Sequence, residues 1–168
     1  NKIILRMQNK MNKVVASIWK KDSGLLKSSV DLINLASIIE AEATYDYEKY
    51  IIASVFNNRI KKGMKLQSDP TVLYYKNLKN KIKSRKIYKK DLLSDNPWNT
   101  YTRIGLPNTA ICSPGIKALD AAMNPKKTNF LYFVADGIGG HRFSNNYKEH
   151  LVNIKLWKDK IKGSNEIN

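Results

Sequence analysis

Apolar residues recur every three or four positions over most of the chain, which is the spacing of amphipathic helices. The pattern predicts a mainly helical protein, because such a stripe comes together on one side of a helix. The second predicted helix starts after an N-cap at Ser28 or Ser29 and has its apolar stripe at Leu32, Leu35, Ala36, Ile39 and Ala43. The predicted helices cover residues 1–20, 30–43, 48–62, 68–75, 113–123 and 145–161.

Two segments have strand character instead. Residues 64–67 alternate between apolar and polar side chains, which predicts a short strand or extended segment. Residues 130–135 are apolar and aromatic between turn signals, and the glycine-rich stretch 136–140 leads to a returning strand at 141–143. We therefore predict an α+β class: a mainly helical single domain with a small antiparallel hairpin near residues 129–143.

The domain organisation follows from these elements. Residues 1–28 are interpreted as a helix and connector that lead in, residues 29–162 as the main domain, and residues 163–168 as a frayed tail. A chain of 168 residues buries a real core in one domain. No apolar run approaches the roughly 20 residues of a membrane span. The first residue is Asn, and we expect the chain to be a piece of a longer product with any leader or anchor upstream.

Two carboxylates, Glu40 and Glu42, interrupt the apolar run of the second predicted helix. On a helical wheel each falls roughly 80° from the centre of the apolar stripe, on opposite sides. A carboxyl group at such a border is partly desolvated, so its pKa can rise until it holds a proton near neutrality, as a general acid requires. The alternative is a pair of solvated glutamates with basic partners, and the wheel does not choose between the two residues.

The net charge of +16 indicates an anionic partner. Eight of the fifteen residues from Lys76 to Lys90 are Lys or Arg, and none is acidic. Nucleic acid, an anionic membrane face and an anionic polymer such as peptidoglycan all fit this charge, and so does a merely solvated basic loop. The two His residues lie far apart and Cys112 is alone, which argues against a metal site, a thiolate cluster and an internal disulfide.

Polar and aromatic residues gather in three predicted loops, a mixture that sugar-binding sites use for ring faces and hydroxyl groups. Caps and turns employ the same residue types, so each cluster alone is weak. The clusters are Gln67, Ser68, Asp69 and Thr71; Trp98, Asn99, Thr100 and Tyr101; and His141 after the glycine-rich turn.

Seven segments together resemble the MltG (YceG-like) endolytic murein transglycosylases. They occur in the family's order between about Leu35 and about His150, and the longer ones are specific. One departure is Ala43, where the family often has Thr directly after the second glutamate. The segments are Ser37–Glu42, Ala53–Arg59, Gly63–Val72, Asn96–Tyr101, Gly105–Pro107, Ser113–Gly115 and Leu131–His141.

The resemblance makes residues 29–162 a YceG-like catalytic domain and implies a lyase that needs no cofactor and no metal. In the family the second glutamate of the pair is the catalytic acid, and that position is Glu42 here. The implied reaction cleaves the MurNAc-β-1,4-GlcNAc bond within glycan strands and leaves 1,6-anhydroMurNAc ends, terminating or trimming nascent strands. The expected substrate-binding residues are Gln67, Asp69, Thr71, Asn99, Tyr101 and His141.

The same resemblance implies partners and a location. We expect peptidoglycan glycan strands as substrate, penicillin-binding synthases as partners, and a single-pass anchor upstream that holds the domain at the periplasmic or outer face of the cytoplasmic (inner) membrane. Two alternatives stay open: a lysozyme-like hydrolase that pairs Glu42 with Asp69 or Asp136, and a basic nucleic-acid binder. No nucleic acid is expected under the main hypothesis, because the basic run is poor in aromatic residues.

Overall fold

The structure is a computed structural model that describes residues 2–21 and 24–165, with side chains described as far as residue 162. Within these ranges it is α+β and mainly helical, with one small antiparallel hairpin, which confirms the predicted class. The elements are α1 (Lys2–Ile18), α2 (Ser29–Glu42), α3 (Asp46–Lys61), α4 (Asp69–Asn80), α5 (Lys89–Leu93), α6 (Ile116–Met123), β1 (Tyr132–Ala135), β2 (His141–Ser144) and α7 (Tyr147–Asn165).

Helix α2 is the centre of the core. Its first turn is fixed by a capping box, in which the Ser28 hydroxyl accepts from the Asp31 amide and the Asp31 carboxylate accepts from the Ser28 amide. The sequence pattern predicts one buried stripe, yet Asn34, Ser37 and Ile38 are also buried. The reason is that α3, α4 and α6 all pack against this helix, so it is covered on nearly all sides.

Helix α3 joins the helical core to the hairpin through two polar side chains. The Asn58 amide donates to the carbonyls of Thr128 and Phe130, at 2.9 Å each. The buried guanidinium of Arg59 donates to Leu131 on the hairpin side and to Lys65 and Leu66 in the segment before α4. These bonds hold the start of the hairpin close to the segment before α4, and among the described residues the two segments are not otherwise paired.

The hairpin pairs Tyr132 with Ser144 and Ala135 with His141 at its two ends. Asp136 closes the turn, since its Oδ1 accepts from the amides of Ile138 and Gly140. Helix α7 packs against both strands. No helix in the part of the chain described here is long and apolar enough to cross a bilayer.

Several boundaries differ from the predictions. Residues 64–67 form no strand, and Gln67 there has a left-handed backbone. Helix α4 continues beyond its predicted end to Asn80, into the basic segment. Helix α6 starts at Ile116 with Gly115 as its N-cap, so Ser113 does not cap it. Helix α7 extends to Asn165, while residues 22, 23 and 166–168, parts of the predicted connector and tail, lie outside the described residues.

Replacing Arg59 by Met tests the bridge between the helices and the hairpin. The change leaves several buried carbonyl groups without a donor, so we expect a loss of about 3 kcal/mol in the free energy of unfolding. Urea denaturation followed by circular dichroism measures it. Lys61→Met, an exposed change on the same helix, is the control. Equal stability of the two variants would refute the bridging role.

Candidate active site

A groove of about 480 Å³ opens between the end of α2, the segment before α4, the hairpin and α7. Five of the seven predicted site residues line it: Glu42, Gln67, Asp69, Tyr101 and His141. Seven further lining residues were not predicted, and the four with polar or aromatic side chains are Arg59, Phe133, His150 and Trp157. The groove therefore combines carboxyl, amide, hydroxyl and imidazole groups with aromatic faces. A second cavity, of about 510 Å³ between α1 and α6, is mainly aliphatic and contains no carboxyl group.

Glu42 is the last residue of α2, so its side chain leaves the core at the floor of the groove. Desolvation by burial raises the pKa of Glu42 to about 7, although the hydrogen bond from Ser68 favours the ionised form and lowers it. The nearby charge of Asp69 adds a smaller upward shift. The Ser68 hydroxyl donates to Glu42 Oε1 at 2.6 Å. A carboxyl group with this pKa can both give and take a proton near neutrality.

Glu40 has a different environment, which the helical wheel could not reveal. Its Oε1 lies 3.3 Å from the ammonium group of Lys49, and its Oε2 accepts from the Gly115 amide at 3.1 Å. Gly115 precedes α6, so the Glu40 carboxylate neutralises the positive end of that helix. Glu40 is absent from the groove lining. The two glutamates therefore have different roles. Glu42 faces the groove, whereas Glu40 joins α2 to α3 and to the start of α6.

Gln67, just before α4, and Asp69, the first residue of α4, both line the groove. The backbone of Gln67 has a φ of 53°, the left-handed region that a residue with a side chain enters at a cost of about 1 kcal/mol. The Gln67 amide oxygen accepts from Arg59 at 3.3 Å. Asp69 accepts from the Tyr101 hydroxyl at 2.5 Å, and the pKa of Tyr101 is raised by burial and by this bond. These contacts bring two separate loops together at one edge of the groove.

His141 is oriented by a buried carboxylate. Glu48, which is 3% exposed, lies 2.8 Å from His141 Nδ1 and also accepts from the His141 amide at 2.9 Å. A proton on Nδ1 satisfies that contact and leaves Nε2 available to the groove. Gly140 makes room for this pairing, since a Cβ atom there would lie 3.0 Å from Glu48 Oε1.

The structure places the other two predicted residues, Thr71 and Asn99, inside the protein rather than in the groove. The Thr71 hydroxyl donates to the Ser68 carbonyl at 2.7 Å and lies 2.9 Å from the hydroxyl oxygen of Thr100. The Asn99 amide donates to the carbonyls of residues 91, 92 and 94. Both side chains are almost fully buried, so their observed contacts shape the loops that present Ser68 and Tyr101.

The local sequence gives little indication that the unpredicted residues line a groove. Trp157 and His150 lie on α7, where an aromatic and an imidazole fit an ordinary amphipathic pattern. Ser68, from the first polar cluster, is the N-cap residue of α4, but its hydroxyl bonds to Glu42 and makes no side-chain cap bond. Among the described residues, no group of three or more His, Cys, Asp or Glu side chains is arranged to hold a metal ion.

Comparison with known proteins gives a consistent result. The model of the YceG-like family matches residues 1–156. An endolytic murein transglycosylase of Bacillus subtilis is 42% identical over 148 residues, which are 88% of this chain and 40% of that protein. A Streptococcus pneumoniae protein of the same name is 33% identical over 126 residues, 74% of this chain and 23% of that protein.

A crystal structure of a yceG-like protein from Listeria monocytogenes superimposes with a TM-score of 0.67 at 41% identity. The match covers 74% of this chain and 39% of that one. The chain thus spans less than half the length of these relatives, at 40% and 23% of the two transglycosylases.

The environment of Glu42 predicts a stability that falls with pH. The pKa of Glu42 is about 7 in the folded protein and about 4.5 in the unfolded chain. The contribution of Glu42 to the free energy of unfolding is therefore fully present below about pH 4.5 and is lost as the pH rises through 7. Gln at this position carries no charge. We therefore expect Glu42→Gln to match the wild type near pH 4 and to be about 3 kcal/mol more stable near pH 8.

Urea denaturation at both pH values measures this difference. Glu40→Gln is the matched control and should give no gain at high pH, because it removes a partner of Lys49. If the stability of Glu42→Gln depends on pH as that of the wild type does, the carboxyl group of Glu42 does not have a raised pKa.

Proposed function

The chain belongs to the YceG-like family, and on that premise we propose that it is the catalytic part of an endolytic murein transglycosylase. Its substrate would be the glycan strand of peptidoglycan, cleaved internally between MurNAc and GlcNAc. The observation that carries the proposal is Glu42, a carboxyl group of raised pKa in a groove of sugar-binding character.

One such carboxyl group suffices when the substrate supplies the nucleophile. Glu42 first protonates the glycosidic oxygen, and the bond from that oxygen to the muramyl C1 breaks. The C6 hydroxyl of the same sugar then attacks C1 with the high effective concentration of an intramolecular group and returns its proton to Glu42. The product is a 1,6-anhydro end, no water is consumed, and the carboxyl group ends in its starting state. A pKa near 7 suits both steps.

The other groove residues would hold the strand. Phe133 and Trp157 offer aromatic surface for the apolar faces of sugar rings. Gln67 and the free Nε2 of His141 can reach hydroxyl or N-acetyl groups, and Arg59 supplies the one guanidinium among the lining residues, suited to an anionic substituent. The predicted contributions of Thr71 and Asn99 would be indirect, through the loops that they shape.

The hydrolase alternative needs a second carboxylate to serve as nucleophile or to activate water. Asp136 is engaged in the hairpin turn, whose amide bonds lower its pKa, and it does not line the groove. Asp69 does line it and remains the candidate for that role. Its bond from Tyr101 favours a binding role in our proposal.

Murein as substrate places the proposed activity in the cell envelope. We propose the periplasmic or outer face of the cytoplasmic membrane, with a membrane anchor in a part of the protein upstream of this chain. Peptidoglycan synthases of the penicillin-binding type would be natural partners, since they produce the strands that an endolytic enzyme terminates.

Glu42→Gln should abolish strand cleavage, with a rate lower by at least about a thousandfold, because it removes the proton donor and keeps the shape. Glu40→Gln should retain most activity, since its contacts lie outside the groove. Release of fragments from purified glycan strands measures both, and circular dichroism checks folding.

Mass spectrometry of the fragments separates the two chemistries. Anhydro ends are one water lighter than the reducing ends that a hydrolase leaves. Reducing ends, or full activity of the Glu42 variant, would refute the proposal.

Ser68→Ala should move the pH dependence of cleavage. The lost hydrogen bond stabilised the ionised carboxylate, so the pKa of Glu42 rises above its present value of about 7. The alkaline limb of kcat/KM, which reports loss of the protonated acid, should shift to higher pH. Thr109→Ala, a hydroxyl bonded to Trp98 away from the groove, is the control and should leave the limb in place. A downward shift for Ser68→Ala contradicts the assignment.

A further inference from the structure

The densest positive charge of the protein lies outside the groove, in a segment that we call the basic arm, residues 76–93. It comprises the last turn of α4, a connecting stretch and α5. Helix α4 has 12 residues and begins beside the groove at Asp69, so its far end lies about 17 Å away at 1.5 Å per residue. The proposed chemistry makes no use of this segment.

The basic arm has a defined shape. Lys76 donates to the Lys86 carbonyl at 2.9 Å and pairs with Asp91 at 2.8 Å, which ties the two ends of the connecting stretch together. Asn77 and Ser84 exchange two hydrogen bonds, at 3.1 and 2.9 Å. The arm is therefore a closed, internally bonded loop with a defined backbone path.

Seven cations of the arm point into solvent, and none of them forms an ion pair with any described residue. Lys76 is the one arm cation neutralised, by Asp91. Surface lysines usually alternate with acidic residues, whereas this run has no acidic residue from 76 to 90. The seven are Lys79, Lys81, Lys83, Arg85, Lys86, Lys89 and Lys90.

Large apolar side chains are exposed between these cations along the sequence. Leu78 and Tyr88 are each 55% exposed, Ile82 46% and Leu93 70%. A soluble polyanion is bound by charge alone and gives no reason to expose aliphatic groups. Cations interleaved with exposed Leu, Ile and Tyr are typical of surfaces that enter the headgroup region of an anionic bilayer.

We propose that the basic arm docks on an anionic phospholipid bilayer. The seven cations contact headgroup phosphates, and Leu78, Ile82, Tyr88 and Leu93 enter the boundary with the acyl chains. This contact holds the groove at one end of α4 at a set height above the lipid surface. This contact is made by the folded domain itself, and it is independent of the catalytic proposal.

Co-sedimentation of the chain with vesicles tests the docking. We expect binding to vesicles of phosphatidylcholine with about 30% phosphatidylglycerol, and little binding to phosphatidylcholine alone. Replacing Lys79, Lys81, Lys83 and Lys86 by Gln should weaken vesicle binding by at least about tenfold. The control replaces Lys61, Lys62, Lys126 and Lys127, four exposed lysines elsewhere, and should retain binding at the same net charge. Equal loss in both variants overturns the proposal, since only total charge would then matter.

A second variant distinguishes binding to a membrane from binding to a soluble polyanion. Ile82→Ser with Leu93→Ser keeps every charge, so binding to inorganic polyphosphate should be unchanged while vesicle binding falls by about tenfold. Unchanged vesicle binding in this variant overturns membrane docking and makes the arm a general polyanion site. Cleavage of soluble glycan strands is unaffected in either case, which keeps this test apart from that of the active site.

Discussion

Burial of a single carboxyl group at the end of a core helix is the constraint around which this site is arranged. Helix α2 is covered by α3, α4 and α6, and its last residue, Glu42, emerges where that covering stops. Desolvation there raises the pKa to about 7, and one hydroxyl, that of Ser68, holds the carboxyl group in place. A fully solvated glutamate would be ionised at neutrality and could not donate a proton, and one sealed in the core could not reach a substrate.

Hydrogen bonds from buried polar side chains hold the loops and the hairpin that line the groove in place. Arg59 fixes the hairpin against the segment that carries Gln67, and Glu48 fixes His141 on the hairpin against α3. Asn99 stabilises the loop that brings Tyr101 to Asp69. The groove is thus built by buried hydrogen bonds, and its lining residues come from separate elements between Glu42 and Trp157.

Much of the fold was predictable because hydrophobic periodicity reports burial directly. The six predicted helices, the hairpin and its turn at Asp136 appear where the pattern indicates, with ends that differ by up to five residues, whereas α5 was not predicted. The hydrophobic pattern could not distinguish Glu40 from Glu42, because both lie at the border of the apolar face of α2. Their different environments come from residues outside α2: Lys49 contacts Glu40, and Ser68 contacts Glu42. Asn99 shows the same limit, because turn-forming and sugar-binding loops use the same residue types.

The most direct test of the account is the pKa of Glu42 itself. Carbon-13 NMR of the side-chain carboxyl group, assigned by comparison with Glu42→Gln, follows its titration in the folded protein. We expect a midpoint at about 7. A midpoint near 4.5, the ordinary value for a glutamate, would contradict it, because the group would then be ionised at neutrality and unable to act as the acid.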